Sequence, residues 1–238
     1  MDSIDDFMTV RQPTALRPLL GLTVLLVEDS RFASEAMRLM CIKSGARIRR
    51  ADSLTNARRH LSVYRPSVMI VDVGLPDGSG LELIEAAVLG SPRIDVVLGT
   101  SGDPDMQSHV MEHGANGFLA KPVESLGTFQ AEILAHLPKD RQPPGPRLVT
   151  EETVNPDMIA FHDDLSHVAE VLRGSGDGRT VEYVAQFVSG VARSAHDDDL
   201  GKAAANLAKM RDNGGSVDDG IAKLSALVER RLAESGPI

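Results

Sequence analysis

The chain has 238 residues, 42% of them hydrophobic and 25% charged, with a formal net charge of -9 at neutral pH. That length fits two small domains or one large one with a real core, and no apolar run approaches the roughly 18 residues needed to span a membrane. A single cysteine, Cys41, excludes an internal disulfide, and the acidic start MDSIDDFMTV lacks the basic region and apolar stretch of a secretory signal, so a soluble, cytoplasmic protein is expected.

Residues 1–21 carry little regular signal and read as an N-terminal extension. From 22 to 137 the pattern alternates strand and helix five times. Strands are expected near 23–28, 47–51, 67–72, 94–99 and 115–119, and helices near 31–44, 53–62, 79–90, 104–113 and 123–136. Ser30, Ser53, Ser79 and Asp103-Pro104 are helix-start signals, and Gly45, Gly90 and Gly114 stand where helices should end. Cys41, between Met40 and Ile42 on the first helix, reads as a buried, unreactive thiol. The strand runs are apolar throughout, as strands buried on both faces are. The prediction is an α/β, doubly wound, five-stranded parallel sheet with helices on both faces.

Residues 138–152 form a proline-rich linker, expected to be semi-extended over 138–147. From 153 to 238 the period becomes helical. Asn155-Pro156 is a helix start. Apolar stripes follow at Met158, Phe161, Leu165, Val168 and Leu172; at Val181, Val184, Val188, Val191 and Ala195; at Leu200, Ala203, Leu207 and Met210; and at Ile221, Leu224, Val228 and Leu232. Ser216 and Asp219 resemble a capping box before the last of them. These stripes predict a small all-α bundle.

The candidate site comes from the strand ends. Glu28 and Asp29 close VLLVEDS, Asp72 closes VMIVDV, Thr100 follows VVLG, and Lys121 follows GFLA. In an open parallel sheet the carboxyl ends of the strands share one edge, so these residues should meet although 93 positions separate Glu28 from Lys121. Together they have the parts needed to hold a divalent cation and a phosphoryl group.

In order and spacing, these motifs resemble the receiver domains of two-component response regulators, over residues 22–137. The resemblance implies a flavodoxin-like fold in which Asp72 accepts the phosphoryl group. It also implies that Mg2+ is bound by Asp29, Asp72 and the Gly74 carbonyl, with Glu28 acting through water. Lys121 then pairs with the phosphoryl group, Thr100 is the switch hydroxyl, Phe118 the switch aromatic, and the Lys121-Pro122 bond is cis. The chemistry fits those roles: carboxylate attack on a phosphoryl donor joins two anions, and a metal and an ammonium offset the repulsion. Gly74 and Gly102 bring no side chain to the site, so neither can position or block an attacking water; Ser101 is small and leaves access to a donor.

The resemblance makes the chain a phosphorylated signalling protein rather than an enzyme, apart from self-catalysed transfer to and from Asp72. Its phosphodonor would be a sensor histidine kinase or a phosphotransfer protein. Three readings stand for the C-terminal half. The first is a helical module that docks a protein target or self-associates. The second is a histidine phosphotransfer-like bundle, with His162 as phosphohistidine ahead of His196, whose following run Asp197–Asp199 reads more simply as a solvated helix start. The third is an atypical DNA-binding domain. Residues 140–238 hold 11 basic and 17 acidic residues, and the chain has no tryptophan, which argues against nucleic acid.

Overall fold

The computed structural model describes residues 12–145, 151–174, 178–213 and 217–234. The first half contains β1 (Thr23–Val27), α1 (Arg31–Ser44), β2 (Arg47–Ala51), α2 (Leu54–Val63) and β3 (Val68–Asp72), then two short strands, β4 (Gly74–Leu75) and β5 (Gly78–Ser79). It continues with α3 (Gly80–Leu89), β6 (Val96–Ser101), α4 (Met106–Glu112), β7 (Gly117–Ala120) and α5 (Leu126–His136). Five strands form the expected parallel sheet, in the order β2-β1-β3-β6-β7. The β4–β5 hairpin was not foreseen: each strand is two residues long, too short for any period.

The strand alternation splits the core into two layers. Val24, Leu26, Ile70 and Leu98 face one way and pack with Met37, Phe129 and Ile133 of α1 and α5. Leu25, Val27, Met69, Val71 and Val97 face the other and meet Leu54, Leu83, Ile84 and Val110 of α2, α3 and α4. The chain reverses direction across the sheet between β1 and β3, where open α/β sheets bind ligands.

Local chemistry set most helix ends. Ser30, Ser53, Ser79 and Ser125 accept from the backbone N–H groups of Ala33, Asn56, Leu81 and Thr128. Gly45 ends α1 at φ 85, a left-handed conformation that favours glycine. Asp103-Pro104 does not start α4; Asp103 accepts from the Asp105 N–H in a local turn, and the helix begins at Met106. Cys41 is fully buried, and burial pushes its thiol up to about 12.

Over residues 138–145 the linker is not the semi-extended spacer that its prolines suggest; residues 146 and 147 of that stretch lie outside the described residues. Lys139–Arg141 form a 3-10 turn, Arg141 pairs with Asp95 at 2.6 Å, and the Gln142 amide donates to the carbonyls of Leu134 and Leu137. Further on, Leu126 N–H donates to Glu152 O and Val154 N–H to Glu124 O, and Val154 is buried in the same layer as Phe129. These side-chain and backbone bonds satisfy polar groups that an extended segment would leave to water.

The second half contains α6 (Met158–Gly174), α7 (Gly178–Ser194), α8 (Asp198–Asp212) and α9 (Asp218–Glu234). Phe161, Leu165, Val184, Val188, Leu207, Leu224 and Val228 form its core. Met158, expected in the first stripe, is 53% exposed. Asn155-Pro156 precedes rather than starts α6; the Asp157 carboxylate, accepting from Ile159 N–H, marks the start. Asp197 caps α8, and its carboxylate also accepts two bonds from the Arg231 guanidinium of α9. Ser216, half of the expected capping box, lies outside the described residues. Among the described residues no helix is long and apolar enough to cross a membrane.

The two halves touch along α1. Phe32 belongs to the helical core and meets Phe161 edge-on, with ring centroids 5.8 Å apart. The Asp164 carboxylate, 2% exposed, accepts from Ser30 Oγ at 2.7 Å and from the N–H groups of Arg31 and Phe32. It thereby serves the open N-terminus of α1, where unpaired donors and the helix dipole favour an anion.

Candidate functional site

β1 delivers Glu28 and Asp29, β3 delivers Asp72, and β7 delivers Lys121 to one end of the sheet. Carboxylate oxygens of Glu28, Asp29 and Asp72 all lie within 4.8 Å of one another. Lys121 Nζ sits 2.8 Å from Asp72 Oδ2 and 2.6 Å from Glu28 Oε2, the second an ion pair without hydrogen-bond geometry. Ser30 N–H donates to Glu28 Oε1, and Gly74 N–H makes a long 3.4 Å contact with Asp72 Oδ1. The Lys121-Pro122 bond is cis.

Electrostatics follow from crowding. Glu28, Asp72 and Lys121 are buried. Burial raises the Glu28 carboxyl well above the usual range, against the pull of Lys121. Burial, then the Asp72 charge, pushes Asp29 up to about 7. Burial alone would lower Lys121, but Asp72 and Glu28 outweigh it and hold the ammonium charged. Three acids around one ammonium leave the pocket short of positive charge. The carboxylates of Glu28, Asp29 and Asp72 are hard oxygen donors, the kind that suits a divalent cation such as Mg2+.

Thr100 and Phe118 stand one step back. Thr100 Oγ1 is buried and donates to Leu119 O at 2.7 Å. Phe118 is half-buried against the layer that contains Val97 and Val110. His162 is not part of this cluster; it lies half-buried beside the Phe161 ring. His196 pairs with Glu124 across the two halves, at 2.7 Å.

Nothing in the sequence signals that α7 covers the site. Tyr183 OH donates to Asp29 Oδ2 at 2.7 Å. Burial and then Asp29 push the Tyr183 phenol upward, so it stays a proton donor. A Cβ added to Gly74 would run into the Gln186 carboxamide, and one added to Gly102 would stand 3.0 Å from an Arg193 guanidinium nitrogen. A cavity of about 360 Å3 remains between the halves, lined by Asp72, Lys121, Tyr183, Gln186 and Arg193 among others. Tyr183, Gln186, Gly190 and Arg193 recur on one face of α7, beside the valine stripe. That spacing was present in the sequence, but a polar helix face is ordinarily solvated and carries no sign of what it meets.

Residues 24–131 match the family model described as the response regulator receiver domain. The KDP operon transcriptional regulatory protein KdpE of Escherichia coli (strain K12) is 29% identical over 110 residues, 46% of this chain and 48% of that protein. The transcriptional regulatory protein CreB of the same strain is 33% identical over 105 residues, 42% and 44% of the two chains. The chain thus spans about half the length of these curated relatives. A putative response regulator from Chloroflexus aurantiacus J-10-fl, known from its crystal structure, is 30% identical; the match covers 48% of this chain and 98% of that one, with a TM-score of 0.44. Since the curated relatives are named as transcriptional regulators, the expectation from charge and the lack of tryptophan that nucleic acid is not a partner is not supported. The family match ends at residue 131, before the C-terminal helices.

Proposed function

Residues 24–131 are a response regulator receiver domain, and from that premise we propose that Asp72 accepts a phosphoryl group and that the C-terminal helices pass the signal on. The observation that carries this reading is the triad of Glu28, Asp29 and Asp72, the first and last buried and Asp29 half-buried, with Lys121 bridging two of its members. Asp29, Asp72 and the Gly74 carbonyl would hold Mg2+, with Glu28 acting through water. When bound, the ion offsets the negative charge of the incoming group. Lys121, already ammonium and 2.8 Å from Asp72, pairs with the phosphoryl oxygens. Thr100 leaves the Leu119 carbonyl to donate to the group, and Phe118 repacks into the space that opens.

The donor is a sensor histidine kinase or a phosphotransfer protein. The receiver module runs over residues 22–137, and Val154, beyond it in the chain, packs into its core. Output runs through the helices after it, to a protein target or a second copy. Small-molecule phosphorylation tests the acceptor directly. The full chain with Mg2+ and acetyl phosphate should gain the mass of one phosphoryl group, and Asp72→Asn should gain none. Equal labelling of the two would overturn the assignment.

A further inference from the structure

The receiver half lacks side chains at two points on the rim of its acceptor pocket, Gly74 and Gly102, and α7 fills both. The Gln186 carboxamide occupies the space of a Gly74 side chain, and the Arg193 guanidinium that of a Gly102 side chain. The approach is close because α7 has a glycine between them: Gly190 Cα comes within 3.7 Å of a Cβ on Gly102. Tyr183 anchors the same face through Asp29. Three groups that α7 brings to this acidic pocket can donate, a phenol, a carboxamide and a guanidinium; the Glu182 carboxylate of the same helix also lines the cavity and pairs with Arg211 at 2.6 Å. The receiver wall, apart from Lys121, offers mainly acceptors.

We infer that Gln186 and Arg193 are phosphoryl-binding residues that complete the acceptor pocket from the helical half. This rests on the reading of Asp72 as phosphoacceptor. The cavity of about 360 Å3 leaves room for the group with α7 in place. A phosphoryl group on Asp72 adds three acceptor oxygens and negative charge between Lys121 on one wall and Arg193 on the other. Arg193 supplies charge-assisted bonds to those oxygens, and the Gln186 amide N–H adds a neutral one. Binding is reciprocal: whatever factor α7 adds to the hold on the group, the group adds to the docking of α7. Phosphorylation therefore tightens the helical half onto the receiver half.

The test uses the full chain with Mg2+ and beryllofluoride, a phosphoryl mimic, and reads mimic affinity together with amide hydrogen exchange along α7. In the wild type the mimic should raise protection of α7, and in Asp72→Asn it should leave it unchanged. Arg193→Ala should weaken mimic binding about tenfold or more, and Gln186→Ala about threefold. Arg193→Lys should recover part of the loss, which a purely structural role for Arg193 would not produce. Mimic affinity within about twofold of wild type in Arg193→Ala, or protection of α7 that falls when the mimic binds, overturns the inference while leaving Asp72 as acceptor. A mimic that fails to bind the wild type overturns the acceptor reading, and this one with it.

Discussion

The two halves of this chain are built by different means, and they differ most in what their polar residues do. In the receiver half the chemistry sits at the ends of buried strands, so the elements that make the core also aim the site: Val71 packs a layer and the next residue is Asp72. In the helical half the core stripe of α7 and the polar face that meets the receiver are separate surfaces of one helix. Val184 and Val188 hold α7 in its bundle, while Tyr183, Gln186 and Arg193 reach another module altogether. A strand buried on both faces joins packing to site geometry; an amphipathic helix leaves them independent.

Core truncations should show how independent the halves are, and should have the largest effects. Phe129→Ala removes a fully buried ring from the receiver core and should cost about 3–5 kcal/mol. Leu224→Ala in the helical core should cost about 2–5 kcal/mol. Denaturant unfolding followed by circular dichroism would report both. If each lowers a separate transition, the halves are separate folding units; a single shared transition would mean that the Phe32–Phe161 contact and Asp164 join them into one.

A smaller effect is expected at Asp164, the acid that crosses between the halves. Asp164→Ala leaves the N–H groups of Arg31 and Phe32 without their acceptor and should cost about 1–3 kcal/mol. Because Asp164 belongs to the helical half but caps a receiver helix, the loss should appear as faster amide exchange in the first turn of α1. Unchanged exchange there would remove Asp164 as a coupling point.

The smallest effect lies wholly inside the helical half. The Arg231 guanidinium holds the Asp197 carboxyl below the usual carboxylate range. The unfolded chain therefore takes up that proton at higher pH than the folded one. The stability it contributes is fully present above the ordinary aspartate value, about 3.9, and is lost as pH falls through the lower folded value. Both side chains are partly exposed, so the contribution should be about 1 kcal/mol or less. Acid titrations of wild type and Arg231→Met should separate above about pH 4 and converge once the pH falls below the lowered Asp197 value; parallel curves would refute the pairing.

By itself the sequence determined the order of strands and helices in the first half, the parallel sheet, and the convergence of Glu28, Asp29, Asp72 and Lys121. Each is a local pattern, an apolar run with a polar residue at its end, and sheet topology turns local patterns into one shared edge. The helical stripes were equally local, and they were legible for the same reason. Tertiary structure alone decided the rest. It folded Lys139–Arg141 and Gln142 back onto the receiver, set Val154 in the receiver core, and laid α7 over the acidic pocket. The last of these joins residues 154 positions apart through a single side chain, Tyr183 to Asp29. A polar helix face has a period but no address: its sequence gives the spacing of its donors, and only the packed molecule gives them an acceptor.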